Sequence, residues 1–573
     1  YFGLYITNTP YSILCPLSPL SRFQACVYFA VVFQTISCGI HYLASVFLAA
    51  TSKFVCIAPE NIIAAMVENY RGSGLEDIWS HWNPGKGFIL VEPESGELWE
   101  LNKCSRSRRT DSFHFDYSSS GNKSEFPCSE WFVYDRTNIQ QSIVTDWNLV
   151  CDKEWLAKLT QPSFMFGVLI RGLIFGDIAD RVGRRTVMMF TSIFQFVFGI
   201  VVAFTVNYYV FIVIRFMLAM VSSGYLVVVF VYVTEFTGIR ARTWTSMHVH
   251  VAFAVGIMVV ALVGYLVRVW WIYQIILSIS TFPFLLVCWK LPETPFYLLA
   301  KGRYKEAQDL IDKVAEFNGI ANPCRVSDLL QPEEMDLLEQ DQDSAPEKKL
   351  SILDLFGTWE MAGRTITLWL VWFIGSLGYY VFSLGSINLG GNQYLNPFLA
   401  GAVEIPSYIV GSFAMDKLGR RNTLAPFLIL SGIACALTII VRQNIAILAI
   451  ILSMTGKFEI AIAFGLIYLY TCELYPTVIR SLAVGSGSML CRVGSVVAPF
   501  CVYLASVWTF LPQVIVGVLA ILIGVLTLLL PETLGKPLTS TLEEAEALGS
   551  KKKPECTPAN STLGEKIEMN PKV

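Results

Sequence analysis

Charged residues are scarce in this chain. Asp, Glu, Lys and Arg make up 15% of its 573 residues, whereas 54% of the residues are apolar and the mean hydropathy is +0.53. So much apolar surface cannot be buried inside one water-soluble core. The composition therefore predicts a protein that is embedded in a lipid bilayer. The net charge of −3 is close to neutral and no basic stripe interleaved with aromatic residues occurs, so we expect no nucleic-acid partner.

Motifs of catalysis and nucleotide binding are missing as well. The sequence contains no G-x-x-x-x-G-K-[ST] phosphate loop, no H-E-x-x-H, no G-x-S-x-G and no C-x-x-C. Without a phosphate loop, direct drive by ATP is not expected, and without the other motifs catalysis has no candidate site. We therefore predict that the chain is not an enzyme and that it holds no cofactor and no metal.

Long apolar stretches are present instead. A helix needs about 20 residues to cross roughly 30 Å of hydrocarbon, and the sequence offers twelve stretches of about that length. They lie near residues 23–49, 156–178, 187–206, 208–234, 247–267, 270–290, 364–386, 395–414, 423–441, 445–470, 482–506 and 510–530. Two long polar segments, 50–155 and 291–362, interrupt the pattern, and the second separates six spans from six spans.

A charged hairpin occurs twice between apolar stretches. Residues Asp180–Arg185 return in the second half as Asp416–Arg421, with the shared pattern D-x-x-G-R-R. At nearly the same offset, Glu235 in Y-V-T-E corresponds to Glu473 in Y-T-C-E, and the motif L-P-E-T follows both the sixth and the twelfth stretch. Such an internal duplication is expected of a two-fold repeated transporter and of few enzymes.

Acidic residues near these helix ends face arginines across short loops. We therefore predict a cytoplasmic charge network that closes the two six-helix halves against each other. The alternative is that these residues serve only as topology anchors. The predicted gating network consists of Asp180, Arg184, Arg185, Glu235, Arg240, Asp416, Arg420, Arg421, Glu473 and Arg480.

Arginine and lysine are distributed unevenly between the two sides of the membrane. The short connections that hold the hairpins are rich in arginine, so the positive-inside rule places them, both termini and the central loop in the cytoplasm. The predicted organisation is a cytoplasmic N-terminal segment 1–22, a first bundle 23–290 that includes an extracellular loop 50–155, a cytoplasmic loop 291–362, a second bundle 363–530 and a cytoplasmic tail 531–573.

The predicted extracellular loop holds four cysteines and a glycosylation motif. Cys56, Cys104, Cys128 and Cys151 can oxidise in pairs outside the cell, and three pairings are open. A zinc site is the alternative, but the absence of C-x-x-C favours disulfides. Asn122, in N-K-S, is an N-glycosylation acceptor on the correct side of the membrane.

Further motifs extend over most of the chain. The paired D-x-x-G-R-R hairpins, the large first loop and the segments Asp146–Cys151, Leu291–Pro295 and Tyr470–Arg480 together resemble the major facilitator superfamily and, within it, solute carrier family 22. This resemblance implies an all-α integral membrane fold of twelve transmembrane helices, alternating access and a multi-pass location in the plasma membrane. The family's amphipathic opening is missing before Ser21, so we expect a truncated or mispredicted first exon.

Three charged residues lie near the midplane of their predicted spans. At about 1.5 Å per residue, Glu404, Lys457 and Arg492 each stand roughly ten to twelve residues into a span. A charge at the bilayer centre costs on the order of 2.5–3.5 kcal/mol, so each needs a partner, a wet cavity or a function; mutual salt bridging is the structural alternative. Tyr408 follows Glu404 on the same helical face and Tyr379 lies at similar depth, so tyrosine rings and a carboxylate can host a quaternary ammonium.

Arg492 bears on the substrate class. A guanidinium at the midplane repels a simple cation but receives a carboxylate by two parallel hydrogen bonds. The resemblance adds that the family's organic cation carriers hold aspartate at this position, whereas its anion and carnitine carriers hold arginine, and that Tyr379 and Glu404 line the central cavity. We therefore predict a secondary-active or facilitative carrier of carnitine and related organic cations or zwitterions. Ion coupling stays open.

Two departures from the family's pattern keep alternatives open. Arg171 and Glu459 are charged where relatives usually place a small residue. They can compensate each other or mark altered selectivity. The alternative functions are a transport-inactive scaffold or regulatory paralogue, and an organic anion carrier of the same family.

Overall fold

Twelve apolar helices dominate the fold. The computed structural model describes residues 21–56, 88–91, 98–109, 124–128, 132–237, 239–319, 325–326, 352–389, 391–441, 446–536 and 542–547. The helices are α1 (Arg22–Leu43), α2 (Glu154–Val182), α3 (Arg184–Ala203), α4 (Tyr208–Phe236), α5 (Ile239–Leu266), α6 (Trp270–Ile279), α7 (Trp359–Gly385), α8 (Leu395–Leu418), α9 (Arg421–Val441), α10 (Ala446–Leu474), α11 (Thr477–Tyr503) and α12 (Leu511–Thr527). In these ranges eleven helical segments are long and apolar enough to cross a membrane, and α12 is a shorter apolar helix. The predicted twelve-span fold is confirmed.

Local chemistry explains where these helices begin and why they persist. Hydrocarbon offers no partners to exposed N–H and C=O groups, so each span remains helical. A capping box starts α1, in which Ser21 Oγ accepts from the Gln24 N–H at 3.4 Å and Gln24 Oε1 accepts from the Ser21 N–H at 3.0 Å. Large apolar side chains such as Phe29, Phe194 and Leu522 remain exposed on the outside of the bundle, as expected of a surface in contact with lipid.

The helices pack as two groups of six. In the first group α2 and α3 pack on α4, and in the second α7 packs on α11 and α9 packs on α12. Two crossings, α5 on α8 and α2 on α11, join the groups. A Cβ atom on Gly401 of α8 would lie 3.0 Å from Met258 and 3.1 Å from the carbonyl oxygen of Ala254 on α5. Glycine therefore permits the close approach of the two halves at this crossing.

Short helices border both ends of the bundle. We call the end that carries the α2–α3 and α8–α9 turns the hairpin face, and the opposite end, which carries the described parts of residues 50–155, the loop face. The short elements are Ser45–Leu48, Ile143–Asp146, Cys151–Lys153, Ser386–Leu389 and Leu504–Ser506 on the loop face, Phe282–Val287 and Cys288–Lys290 as the continuation of the sixth span, and Pro295–Ala300, Tyr304–Asn318, Ile352–Phe356 and Leu542–Ala547 on the hairpin face.

Six short strands occur in the described part of the loop face. β1 (Phe54–Cys56) pairs antiparallel with β6 (Phe132–Tyr134), and a second antiparallel sheet has the order β2 (Phe88–Val91), β3 (Leu98–Leu101), β4 (Ser105–Arg109), β5 (Ser124–Pro127). Disulfides join Cys56 to Cys128 and Cys104 to Cys151, which selects one of the three pairings that the sequence left open. The predicted glycosylation acceptor Asn122 lies outside the described residues.

Removing one disulfide is expected to loosen this loop. Replacing Cys56 and Cys128 by serine deletes a crosslink between residues separated by 72 positions, and the regained freedom of the unfolded chain costs roughly 2–4 kcal/mol of stability. Limited proteolysis should then cut the loop faster while the spans stay intact. The exposed, reduced Cys26 supplies the control. Its serine variant should be digested like the parent protein, and equal digestion of all three proteins would contradict the expectation.

Aromatic contacts bring the two halves together at the loop face. Tyr394, just before α8, stacks on Phe47 with ring centroids 5.6 Å apart, and its hydroxyl donates to the carbonyl oxygen of Asn138 at 3.0 Å. Lys158 Nζ of α2 lies 3.6 Å from the centroid of the Tyr503 ring at the end of α11. Because these contacts connect residues of different halves, the halves are in contact on this side of the molecule.

Candidate functional site

The turn between α2 and α3 is built around Gly183 and Glu293. Gly183 adopts φ 108° and ψ 150°, a combination open essentially to glycine. The Glu293 carboxylate accepts from the backbone N–H of Arg184 at 3.1 Å and from that of Arg185 at 3.1 Å. It therefore caps the N-terminus of α3, where the helix dipole favours an anion.

The second hairpin repeats this geometry with Gly419 and Glu532. Gly419 adopts φ 94° and ψ 171°. The Glu532 carboxylate accepts from the backbone N–H of Arg420 at 2.8 Å and from that of Asn422 at 3.2 Å. In each half, the segment that follows the sixth helix thus returns to brace the hairpin between the second and third helices.

The two bracing carboxylates differ in their ionisation. Burial raises the pKa of Glu293 above its ordinary value, against the opposing effect of the backbone N–H groups of Thr294 and Arg185. Burial acts in the same direction at Glu532, but the N–H groups of Arg420 and its neighbours outweigh it and hold the pKa of Glu532 below its ordinary value. Glu532 therefore stays ionised to a lower pH than Glu293.

In each half a second glutamate pairs with the arginine that follows the hairpin glycine. Arg184 Nη2 lies 3.2 Å from Glu235 Oε1, and Arg420 Nη2 lies 2.9 Å from Glu473 Oε1. Both glutamates also accept a threonine hydroxyl at 2.6 Å, donated by Thr294 and Thr533. These contacts tie α4 to the first hairpin and α10 to the second.

The ion pairs that the structure describes for this network lie within the halves, so the closure of one half against the other stays a prediction. Arg184 pairs with Asp180 at 2.8 Å and with Glu235, all in the first half, and Arg420 pairs with Glu473 in the second. The reason is that α4 packs beside α2 and α3, so the nearest carboxylate belongs to the same bundle.

The other predicted members of the network occupy various positions on the hairpin face. Arg185 Nη2 donates to the carbonyl oxygen of Trp289 at 2.7 Å. Asp416 is exposed, and the side chain of Arg240 lies outside the described part of the chain. Arg421 donates to the carbonyl oxygen of Leu530 at 3.4 Å, and Arg480 donates to that of Tyr475 at 3.2 Å.

Glu404 and Lys457 form a buried ion pair between α8 and α10. Lys457 Nζ lies 2.8 Å from Glu404 Oε1, and their side chains are 1% and 0% exposed. The ammonium also donates to Ser383 Oγ at 2.6 Å and to the carbonyl oxygen of Tyr379 at 3.2 Å, and it lies 3.2 Å from the centroid of the Tyr379 ring. The Tyr379 hydroxyl donates to Glu404 Oε2 at 3.0 Å. Lys457 thus occupies the position that the sequence suggested for a substrate ammonium.

Tyr408 places this pair beside the junction of the two halves. It lies one turn beyond Glu404 on α8, and its ring centroid is 5.2 Å from that of His250 on α5. Since α5 and α8 belong to different halves, a relative movement of the halves changes the surroundings of Glu404.

A second charged cluster lies where α2 packs on α11. Arg492 of α11 and Arg171 of α2 are within electrostatic range of each other and of the tyrosines Tyr42, Tyr380 and Tyr468. Arg171 is 3% exposed. This cluster is rich in positive charge and in aromatic rings.

Adjacent tyrosines connect the two clusters. The rings of Tyr379 and Tyr380 are 5.2 Å apart and nearly perpendicular. Tyr379 belongs to the Glu404 cluster and Tyr380 to the Arg492 cluster. The structure therefore brings Tyr379, Glu404 and Lys457 together and places Arg492 in the neighbouring cluster.

Several residues of these sites were not singled out from the sequence. The repeated L-P-E-T motif was the available signal for Glu293 and Glu532, because a motif that recurs with the hairpin is expected to contact it. No sequence signal indicates Ser383 or Tyr468. Among the described residues Glu459 forms no ion pair with Arg171, and its Oε2 has no hydrogen-bond partner.

The fold is that of a known class of membrane protein. Residues 110–545 match the family model described as sugar (and other) transporter. The solved structure of the major facilitator superfamily proton:xylose symporter XylE is similar with a TM-score of 0.55 at 15% sequence identity, over 92% of this chain and 100% of that one. At that identity the likeness shows the major facilitator fold alone, and it is the family model matched over residues 110–545 that shows a membrane transporter.

Curated relatives give the family within this class. The chain is 59% identical over 552 residues to solute carrier family 22 member 16 of Xenopus laevis, covering 96% of this chain and 97% of the relative. It is 53% identical to the Homo sapiens protein of the same name, over 92% and 91% of the two chains, and 33% identical to the Homo sapiens organic cation/carnitine transporter 2, over 91% of each. The chain belongs to solute carrier family 22 of the major facilitator superfamily.

Proposed function

We propose that this multi-pass transporter carries carnitine and related organic cations or zwitterions across the plasma membrane by alternating access. In this proposal the hairpin face and both termini are cytoplasmic, and the loop face is extracellular with Asn122 glycosylated. Movement is facilitated or coupled to an ion gradient, with no hydrolysis of nucleotide.

This substrate class is supported by two clusters that lie next to each other: one contains guanidinium groups, and the other contains a carboxylate and aromatic rings. Arg492 can receive a carboxylate by two parallel hydrogen bonds. The ring face of Tyr379 and the carboxylate of Glu404 suit an ammonium, and Lys457 places its own ammonium there. Carnitine carries one carboxylate and one quaternary ammonium, so it matches both clusters.

One observation favours a second candidate, an organic anion carrier. Lys457 already neutralises Glu404, so while this pair stays closed Arg171 and Arg492 offer uncompensated positive charge to a substrate. A substrate that binds without opening the pair would be an anion. Carnitine transport requires Lys457 to leave the Tyr379 ring or the substrate ammonium to bind beside it.

Uptake in cells that express the chain separates these candidates. Labelled carnitine, tetraethylammonium and glutarate are compared with and without a sodium gradient, in the parent protein and in Arg492→Asp. We expect the variant to lose about 10- to 100-fold in carnitine uptake efficiency, the loss that corresponds to a charge-assisted hydrogen bond, and to retain or improve tetraethylammonium uptake.

The other results have distinct meanings. Unchanged carnitine affinity in Arg492→Asp would remove the role given to Arg492. Uptake of glutarate without carnitine would favour the anion carrier, and surface expression without uptake of any of the three would favour a transport-inactive paralogue. Sodium dependence of the carnitine signal decides between coupled and facilitated movement.

A further inference from the structure

Arg171 is a buried cation without a matching anion in the described part of the chain. The residue is 3% exposed, and its Nε has no hydrogen-bond partner there. Its Nη1 donates to the carbonyl oxygen of Ser223 on α4. A carbonyl group satisfies one N–H group but carries no charge, so the positive charge itself remains uncompensated.

The neighbour of Arg171 has the same sign. Arg492 lies within electrostatic range, on the facing helix α11. Among the side chains that the structure describes, no carboxylate forms an ion pair with either arginine, and the buried pair of Glu404 with Lys457 is internally neutral. Two like charges in a region from which water is largely excluded repel each other strongly.

The two guanidiniums also lie at comparable depth. Arg171 precedes the last residue of α2, Val182, by eleven residues, and Arg492 follows the first residue of α11, Thr477, by fifteen. Both of those helix ends belong to the hairpin face. At about 1.5 Å per residue the two arginines stand roughly 16 and 22 Å from it, about one helical turn apart in depth, on two helices that pack directly on each other.

We propose that Arg171 is a second carboxylate-binding residue and that it forms, with Arg492, a paired-guanidinium site at the crossing of α2 and α11. The site takes small carboxylates, and the bound carboxylate lies between the two guanidiniums and screens their repulsion. The rings of Tyr42, Tyr380 and Tyr468 wall the site and exclude water from it. This inference rests on the proposed function, because it names a second residue for the carboxylate end of the proposed substrate.

The site has a consequence for selectivity. A cation without a carboxylate forms no hydrogen bond with either arginine and is repelled by the positive charge of both. A carboxylate held by two forked guanidiniums gains hydrogen bonds that a single arginine cannot supply. The chain is therefore expected to prefer carboxylate-bearing substrates over simple cations of the same size, and this preference should depend on Arg171.

Binding to the purified full-length chain in lipid nanodiscs tests this assignment without requiring transport. Dissociation constants of carnitine, glutarate and tetraethylammonium are measured by calorimetry in the parent protein, Arg171→Gln and Arg171→Lys. We expect Arg171→Gln to weaken carnitine and glutarate about 10- to 100-fold and to leave tetraethylammonium equal or tighter. Arg171→Lys keeps the charge but loses the planar fork, so it should give an intermediate loss, and it carries the test if Arg171→Gln does not fold.

A matched control is available in Arg215. This arginine is also fully buried, and within the described ranges its three guanidinium nitrogens have no hydrogen-bond partner, but its neighbours are the rings of Phe164 and Phe211. Arg215→Gln therefore reports the general effect of deleting a buried cation. Its preference for carboxylates should equal that of the parent protein.

Each result discriminates between the two proposals. Parent-like binding of carboxylates by Arg171→Gln, or a loss of equal size in Arg215→Gln, would overturn the paired-guanidinium site, and carnitine uptake would still stand. Arg171-dependent binding of glutarate in a chain that takes up no carnitine would uphold the site and overturn the proposed substrate. Absence of carboxylate binding in the parent protein would overturn the site as well.

Discussion

Replacing Lys457 by methionine is expected to lower the free energy of unfolding by about 3–5 kcal/mol, because removal of one partner leaves the other charge buried and uncompensated. Lys457 and Glu404 are almost fully buried and face each other at 2.8 Å. The double variant Lys457→Met, Glu404→Gln removes both charges and should recover most of the loss. Thermal unfolding of the purified protein in nanodiscs measures all three proteins.

An exposed ion pair provides the comparison. Arg303 lies 2.6 Å from Glu306, and both side chains are about half exposed, so Arg303→Met should cost well under about 1 kcal/mol. If Lys457→Met is no more destabilising than Arg303→Met, then Glu404 is not held as an anion in the folded protein, and the ion pair loses its structural role.

The Lys457→Met variant is also expected to change the binding of cationic ligands. It clears the face of the Tyr379 ring and frees Glu404, so a substrate ammonium no longer competes with a side chain. Where enough folded protein can be obtained, tetraethylammonium should bind more tightly to Lys457→Met than to the parent protein.

Valine at Gly183 or Gly419 is expected to destabilise its hairpin by about 2–4 kcal/mol or to prevent folding. Both glycines adopt backbone angles that residues with a Cβ atom reach only at a cost of order 1–3 kcal/mol. A Cβ atom would also lie 2.5 Å from Glu293 Oε2 in the first hairpin and 2.6 Å from the Glu532 carboxyl carbon in the second. The bracing carboxylate would therefore be displaced as well.

Two other glycines serve as controls for this expectation. Gly176 of α2 and Gly363 of α7 lie inside helices, and a Cβ atom added to either would meet no neighbouring heavy atom of the described residues within 4 Å. Alanine there should be neutral or slightly stabilising, since it has the higher helix propensity. Thermal unfolding and surface expression are the measurements, and a hairpin variant as stable as the Gly176→Ala protein would contradict the strain ascribed to these turns.

Much of the fold could be predicted because lipid imposes a simple rule. A span needs a long apolar stretch, and each of the twelve stretches became a helix of the bundle. The duplicated hairpin likewise stands out in the sequence, because its glycine and arginines recur with fixed spacing. The described ion pairs of Arg184 and Arg420 lie within their own halves, and the closure of one half against the other that the sequence suggested stays a prediction.

The interior contacts could not be predicted to the same extent. Depth along a helix follows from counting residues, so the sequence could place Glu404, Lys457 and Arg492 near the midplane. The direction in which a side chain points depends on how each helix is rotated against its neighbours, and apolar residues surround these spans on nearly all sides. For that reason the closure of Lys457 on Glu404, and the approach of Arg171 to Arg492, became visible only in three dimensions.

The contacts of Glu293 and Glu532 with the two hairpins show that each repeat extends beyond its sixth apolar helix. Glu532 and Thr533 lie beyond the last apolar helix, yet they hold the turn between α8 and α9. The unit that was duplicated is therefore six helices plus the short tail that follows them. A domain boundary drawn at the end of α12 would leave out Glu532 and Thr533, which stabilise the second hairpin. A boundary drawn after Lys536 includes them and keeps the repeat complete.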